Sequence, residues 1–266
     1  MDQQPPLMHF RSVFISDVHL GYHGCRAELL LSFLRATRTE NLYLVGDIVD
    51  LENLKRQFCW PQAHSDVIRT LLGKAKHGTR VGYIPGNHDH PFRDYCGLRF
   101  GNVEVRRRCL HTSAAGQRFL VTHGDEFDCR VALNPAVSWV GDWLYRQMMF
   151  MHSRMNELRL RLGMGYWSLA TFIKQRSGTA RRYIERYKDA VTELASRRGL
   201  DGVICGHIHR PESTRCNGIR YLNDGDWVEN CTALVEHADG RFELLNWPEV
   251  LDTLQSRGAF GLQQAA

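Results

Sequence analysis

Short apolar runs, each broken by a turn, set the rhythm of the first hundred residues. Arg11–Ser16 reads as a strand ending at Asp17, and Leu42–Val45 as a buried strand ending at Gly46-Asp47. Arg80–Ile84 reads as a third, stopped by Pro85-Gly86. Between them, Ala27–Arg38 puts Leu30, Phe33 and Leu34 on one side of a helix. Ser65–Lys76 predicts a second helix, with Ser65 as its N-cap. Strand, helix, strand, helix, strand predicts a parallel α/β sheet.

After residue 100 the pattern turns to strands. Val103–Arg106, Gln117–Thr122, Gly202–Cys205, Arg220–Leu222, Ala233–Glu236 and Phe242–Asn246 are the candidates, and His237–Gly240 predicts a hairpin turn between the last two. A helical period interrupts them. Val137, Val140, Leu144, Met148, Met151, Met155, Leu158 and Leu162 recur three or four apart and make one apolar stripe. Arg181–Arg197 predicts a further helix carrying Ile184, Tyr187, Val191 and Leu194. With no internal repeat and no linker, the 266 residues predict one domain, 1–266, with a helical insertion at 130–198.

Charge singles out that insertion. The chain carries net +5, but residues 130–200 hold 13 Lys+Arg against 5 Asp+Glu, a net of +8, which leaves the remainder at −3. A basic segment in a slightly acidic scaffold suggests an anionic partner; by charge alone a solvated helix face explains it equally well. No apolar run approaches the roughly 20 residues of a membrane span. The polar start, Met1 to Pro6, lacks a secretory pattern. A cytosolic location is expected, with peripheral membrane contact left open. Eight cysteines without a Cys-x-x-Cys pair predict reduced thiols and give no zinc ribbon. No nucleic-acid-binding module is recognisable.

The candidate chemistry lies where the strands stop. The segments are Asp17-Val18-His19, Gly46-Asp47-Ile48-Val49-Asp50, Gly86-Asn87-His88-Asp89, Thr122-His123-Gly124-Asp125 and Gly206-His207-Ile208-His209, followed by Asn223–Trp227. In extended backbone, positions i and i+2 point to one side, so Asp17 with His19, and His207 with His209, can each reach one ion. Asp47 can bridge two ions, Asn87 offers a carbonyl oxygen, and His123 offers a ring nitrogen. Imidazole and carboxylate without thiolate suit manganese, iron or zinc better than calcium. Two adjacent cations neutralise a phosphoryl group and hold attacking and leaving oxygens in line, and a water between them can supply the attacking hydroxide. Asp125, Asp224 and Asp226 read as supporting or turn residues.

In combination these segments resemble the calcineurin-like metallophosphoesterase superfamily, from about Phe14 to Trp227. The resemblance implies a four-layer α/β/β/α sandwich, with a dimetal site at strand ends and two divalent ions, manganese foremost. It implies Asp17, His19, His209 and Asp47 around one ion, and Asn87, His123, His207 and Asp47 around the other. His88 matches the histidine that contacts the phosphoryl group, and Asp50 the acid that orients it. Asp50-Leu51-Glu52 and the closing Asp89 depart from the Ser/Thr protein phosphatases. Ile15–Leu20, His123-Gly124-Asp125, the helical insertion and Gly225–Trp227 are similar to the UDP-2,3-diacylglucosamine pyrophosphatases, which release UMP and a lipid-sugar phosphate at the bacterial inner membrane. His88 stands where the characterised enzymes of that family carry Arg. A phosphorylated or lipid-linked small-molecule substrate is implied, with contact to an anionic membrane face. Cyclic-nucleotide phosphodiesterases and metal-containing interaction scaffolds of the superfamily stay open as alternatives.

Overall fold

The computed structural model describes residues 8–128 and 178–256. Two compact units emerge, Met1–Asp125 with Leu194–Ala266, and Glu126–Glu193. The larger unit is built on two mixed sheets. Its strands are β1 (Met8–Ile15), β2 (Thr37–Leu44), β3 (Arg80–Tyr83), β4 (Arg99–Phe100), β5 (Val103–Val105), β6 (Cys109–Thr112) and β7 (Arg118–Val121), then β8 (Gly202–Cys205), β9 (Glu212–Cys216), β10 (Ile219–Asn223), β11 (Thr232–Glu236) and β12 (Phe242–Asn246). The first sheet runs β12-β11-β1-β2-β3-β5-β4 and the second β6-β7-β8-β10-β9.

The predicted parallel core is present: β1, β2, β3 and β5 are mutually parallel neighbours. Antiparallel strands flank them, with β11 and β12 forming the expected hairpin. In the second sheet β7, β8 and β10 run parallel. The period of two explains the layering. Along β1, Val13 and Ile15 face one side and join α1 (Ala27–Ala36) and α3 (Gln62–Lys76), whose Leu30, Phe33, Leu34, Val67 and Leu71 are buried there. Phe14 faces the other way and packs with Phe119, Val121, Ile204 and Leu222 of the second sheet. Each fully buried Leu or Phe contributes roughly 1.5–3 kcal/mol. Two facing sheets with flanking helices are the architecture the resemblance implies.

Several boundaries differ from the sequence reading. Helix α1 stops at Ala36, and β2 begins at Thr37 rather than Leu42. The polar stretch Thr37–Asn41 is held in the sheet by backbone pairing with β1, from Met8↔Thr37 onward, which side-chain hydropathy does not report. Ser65 is not a cap. Helix α3 starts at Gln62 after Pro61, and the Ser65 hydroxyl accepts from Trp60 Nε1 at 3.0 Å. Strands β4, β6 and β9 and the helices α2 (Leu51–Arg56) and Trp247–Ser256 were not anticipated.

The smaller unit contributes most of α4 (Gly178–Arg197), which matches the expected helix at 181–197. Its Tyr183 hydroxyl donates to Asp128, and Phe127 meets Tyr187 edge-on. The stripe Val137 to Leu162, and most of the expected insertion at 130–198, lie outside the described residues. The seven described cysteines are free thiols. No helix among the described residues is long and apolar enough to cross a membrane.

Candidate metal centre

Each candidate ligand follows the carboxyl end of a parallel strand. Asp17 and His19 follow β1, Asp47 follows β2, Asn87 follows β3, His123 follows β7, and His207 with His209 follow β8. Ligands from both sheets therefore meet at one edge of the sandwich. Beyond their ends, β1 and β2 stay tied by backbone bonds. Asp17 N–H donates to Gly46 O at 3.0 Å and His19 N–H to Asp47 O at 2.9 Å; Leu20 pairs with Val49 in a parallel bridge.

The local conformation is not the extended one that i, i+2 spacing suggested. Asp17, His19, Asp47, His207 and His209 all have left-handed backbone, with φ of 50°, 54°, 53°, 70° and 50°. They are five of the seven non-glycine residues of that kind among the described residues. Asp17 and His19 still converge on left-handed rather than extended backbone, whereas His207 and His209 do not share a donor group. Such backbones are costly and concentrate at functional sites.

Three groups of donor atoms come within 4.8 Å of one another: Asp17, His19 and His209; His19, Asp47 and His88; and Asp17, Asp47 and His123. His209 Nε2 lies 3.1 Å from Asp17 Oδ1, and His123 Nε2 lies 3.4 Å from Asp47 Oδ2. His19 Nε2 is 4.0 Å from Asp17 Oδ1 and 3.9 Å from Asp47 Oδ2. Asn87 Oδ1 stands 3.3 Å from His123 Nε2. His207 joins none of the three groups. Its ring lies edge-on to His123, centroids 5.1 Å apart, while its backbone N–H donates to Asp17 Oδ2 at 2.9 Å.

The hydrogen bonds on the far side of the rings set the tautomers. His123 Nδ1 faces Val45 O at 2.8 Å, and a carbonyl only accepts, so that nitrogen carries the proton. In the neutral ring Nε2 would then carry the lone pair, and it faces Asn87 Oδ1 and Asp47 Oδ2, themselves electron-rich. His19 Nδ1 faces Asp50 Oδ2 at 3.2 Å, which turns its Nε2 inward likewise. His19 Nε2 is buried without a hydrogen-bond partner among the described residues, and Asp17 Oδ1 is buried with His209 Nε2 as its nearest polar neighbour. Converging acceptors in a buried site require positive charge among them. Nitrogen and oxygen donors without thiolate fit divalent ions of the manganese, iron or zinc kind.

Electrostatics state the same demand. Burial pushes the His19 imidazole down, but Asp50, Asp47 and Asp17 outweigh it and raise it to about 9. Burial likewise opposes His123, yet Asp47 and then Asp17 hold it well above the usual histidine range. Burial works against the Asp17 and Asp47 carboxylates; the charges of His209 and His123 respectively hold them far below the usual range. Without an ion, protons on the imidazoles supply the missing positive charge.

Asp50 has three attachments. Oδ2 meets His19 Nδ1; Oδ1 meets His88 Nδ1 at 3.0 Å and accepts from Asn53 N–H at 2.8 Å, capping α2. One carboxylate thus caps a helix and meets two imidazoles. The His88 side chain is 31% exposed, and its backbone N–H donates to Asp47 Oδ1 at 2.8 Å.

An outer ring of buried residues, mostly unread in the sequence, holds these loops. Asp89 accepts from Ile48 N–H at 2.9 Å, Gly86 N–H at 2.6 Å and Tyr83 Oη at 2.5 Å, bracing the Asn87 loop against the Asp47 loop. Ser16 Oγ touches Asp17 Oδ2 and lies 2.7 Å from Asp224 Oδ1. One hydroxyl proton cannot serve both. Burial raises the Asp224 carboxyl well above the usual carboxylate range. Asp226 is a turn residue accepting from Val228 N–H at 2.8 Å, and Asp125 pairs with Arg93 at 2.6 Å. Burial was the signal for Asp89, and sequence alone does not carry it, whereas Asp224 supports the site as read. Two glycines make room for the donors. A Cβ on Gly46, at φ 90°, would fall 2.2 Å from His123 Nδ1, and one on Gly206 would fall 2.5 Å from Asp17 Oδ2.

Comparison with known proteins agrees with this geometry. The model of the calcineurin-like phosphoesterase family matches residues 10–211, and the chain belongs to that family. A UDP-2,3-diacylglucosamine hydrolase of Shewanella halifaxensis is 23% identical over 253 residues, covering 90% of this chain and 98% of that one. One from Edwardsiella ictaluri is 26% identical over 220 residues, covering 75% and 76%. Among solved structures, a single mutant of Vps29 from Entamoeba histolytica aligns at a TM-score of 0.41 and 12% identity, covering 88% of this chain and 98% of that one.

Proposed function

We propose that this member of the calcineurin-like phosphoesterases hydrolyses a phosphodiester or pyrophosphate bond with two divalent ions, manganese foremost and iron or zinc in its place. Asp17, His19, Asp47 and His209 would hold one ion, and Asp47, Asn87, His123 and His207 the other. The observation that supports this best is the convergence of buried acceptors around Asp47, with the tautomers of His19 and His123 set from outside by Asp50 and Val45 O. When bound, the ions would neutralise the phosphoryl charge and make a water acidic enough to ionise near neutral pH.

The chain's own groups then have separate tasks. Asp50 accepts the proton of His88 Nδ1 and fixes the ring. The His88 side chain is 31% exposed, and its Nε2 would donate to a phosphoryl or leaving oxygen. Asp47 receives the His88 backbone N–H, which ties the donor's position to the bridging carboxylate. Gly46 and Gly206 keep the floor of the site open.

The substrate we favour is UDP-2,3-diacylglucosamine, cleaved to UMP and a lipid-sugar phosphate. It is supported by the relatives that share most of the chain's length. The basic segment 130–198 would act as a cap that takes the acyl chains and meets an anionic membrane face. Phosphorus NMR of the manganese-loaded full chain against UDP-2,3-diacylglucosamine, a cyclic nucleotide and bis-p-nitrophenyl phosphate tests both levels. UMP from the first supports the substrate. Product only from the others keeps the chemistry and removes the substrate, and an inert protein leaves the scaffold reading.

A further inference from the structure

A second feature of the larger unit has no part in the metal centre. The first sheet is wider than the second, and β6 is the second sheet's edge strand. Beside β6, the inner face of β2, β3, β5 and β4 forms the wall of a cleft of about 320 Å³. The row across that wall is in register, Tyr43 beside Gly82, Gly82 beside Glu104 and Glu104 beside Arg99. Gly82 leaves its centre open, and a Cβ there would lie 3.1 Å from the Tyr43 ring.

Its charge is one-sided. Arg11, Arg80, Arg99 and Arg106 line the cleft against a single lining carboxylate, Glu104. Arg106 is paired with Glu104 at 2.7 Å, and Arg11 with the buried Glu236 at 2.7 Å. Arg80 and Arg99 pair with no carboxylate among the described residues. Arg80 Nε donates to Asn41 Oδ1 at 3.0 Å, and Arg99 Nε to Gly101 O at 3.1 Å. Each is thus anchored through Nε, with its terminal nitrogens left for a ligand. Asn41 is itself held, its Nδ2 donating to Arg11 O and Ser12 Oγ. Guanidinium forks fixed on rigid strands match the oxygens of phosphate groups.

We propose that this cleft is a second anion site, built for a small molecule that bears at least two negative charges on phosphate groups. Its volume falls at the lower end of ligand pockets and suits a diphosphate with a compact substituent. The lining contains none of the candidate metal ligands.

The test uses the full chain passed over a chelating resin and titrated calorimetrically with inorganic pyrophosphate. We expect saturable binding that Arg80→Gln/Arg99→Gln weakens at least tenfold. Both residues are exposed, so that variant keeps its fold. Binding is expected to persist in Asn87→Ala and to weaken as salt rises. Equal affinity in the wild type and the double variant would overturn the proposal. So would loss of binding in a folded Asn87→Ala variant, or no saturable binding at all. Sedimentation with phosphatidate-containing vesicles, run in parallel, separates a lipid-borne phosphate from a free one. Vesicle capture that the double variant abolishes, without pyrophosphate binding, replaces the small molecule with a lipid surface and overturns the proposal as stated.

Discussion

At the scale of single residues, Asp50 is the most informative position, because it serves His19 and His88 with different oxygens. His88→Ala is expected to lower kcat by roughly 10²–10⁴ with metal content unchanged. Asp50→Asn is expected to lower kcat and to lose metal as well, since the tautomer of His19 is released. Measuring kcat beside metal content by mass spectrometry separates the two, and a metal-free His88→Ala protein would contradict the assignment. His19 also sets a proton linkage. Its folded value of about 9 exceeds the ordinary 6.5, so protonated His19 stabilises the metal-free chain below about pH 6.5. That stabilisation is lost as pH rises through about 9. An entering ion must displace this proton, so metal affinity rises over the same window and binding releases protons. Calorimetry in buffers of different ionisation enthalpy counts them, and a pH-independent affinity would refute the linkage. The candidate ligands were legible because Asp, His and Asn at strand ends stand out in sequence. Asp89 and Ser16 were not, because their work is defined by burial and by partners distant in sequence.

At the scale of elements, the glycine turns and the buried bridge between the sheets carry the testable consequences. Gly46→Ala would drive a Cβ into His123 at a left-handed position, and should cost roughly 2–4 kcal/mol while abolishing metal binding. Denaturant titration with and without manganese reads both effects. The bridge is Glu236 of β11. It is fully buried and meets Arg11 at 2.7 Å, Ser12 Oγ at 2.7 Å, His111 Nε2 at 2.9 Å and Ala114 N–H at 2.7 Å. Burial alone would raise its carboxyl, but His111, Ser12 and Ala114 bring it down to about 2 from 4.5. The folded value is depressed, so this stability is complete above about pH 4.5 and is lost as pH falls towards 2. Glu236→Gln should cost about 3 kcal/mol at neutral pH and flatten acid unfolding across that window. An unchanged acid-unfolding profile would refute it. Elements were legible where hydropathy fixes them, as in Val13 to Ile15 or in the α1 face. They were not where backbone pairing decides, as at Thr37–Asn41, or where a strand has only two residues, as in β4.

At the scale of the whole molecule, the centre joins the ends of both sheets, so an ion bound there clips two layers together. Saturating manganese should raise the Tm of the chelated protein by several degrees. An ion present at 100 times its Kd adds about 2.7 kcal/mol. Calorimetry that shows no shift would mean the layers are already locked without it. The family was readable from the order of five short segments. The pairing of a seven-stranded sheet with a five-stranded one was not, because side-chain periodicity tells a strand which way to face and not which strand to sit beside. The five left-handed candidate-ligand positions set fold against function. Glycine at Asp17, His19, Asp47, His207 or His209 would relieve of order 1 kcal/mol of backbone strain each. Glycine therefore removes a candidate ligand without keeping the backbone strain that alanine would keep, and in chelator each glycine variant should outlast its alanine counterpart on heating. Those five positions carry backbone strain that folding alone does not require.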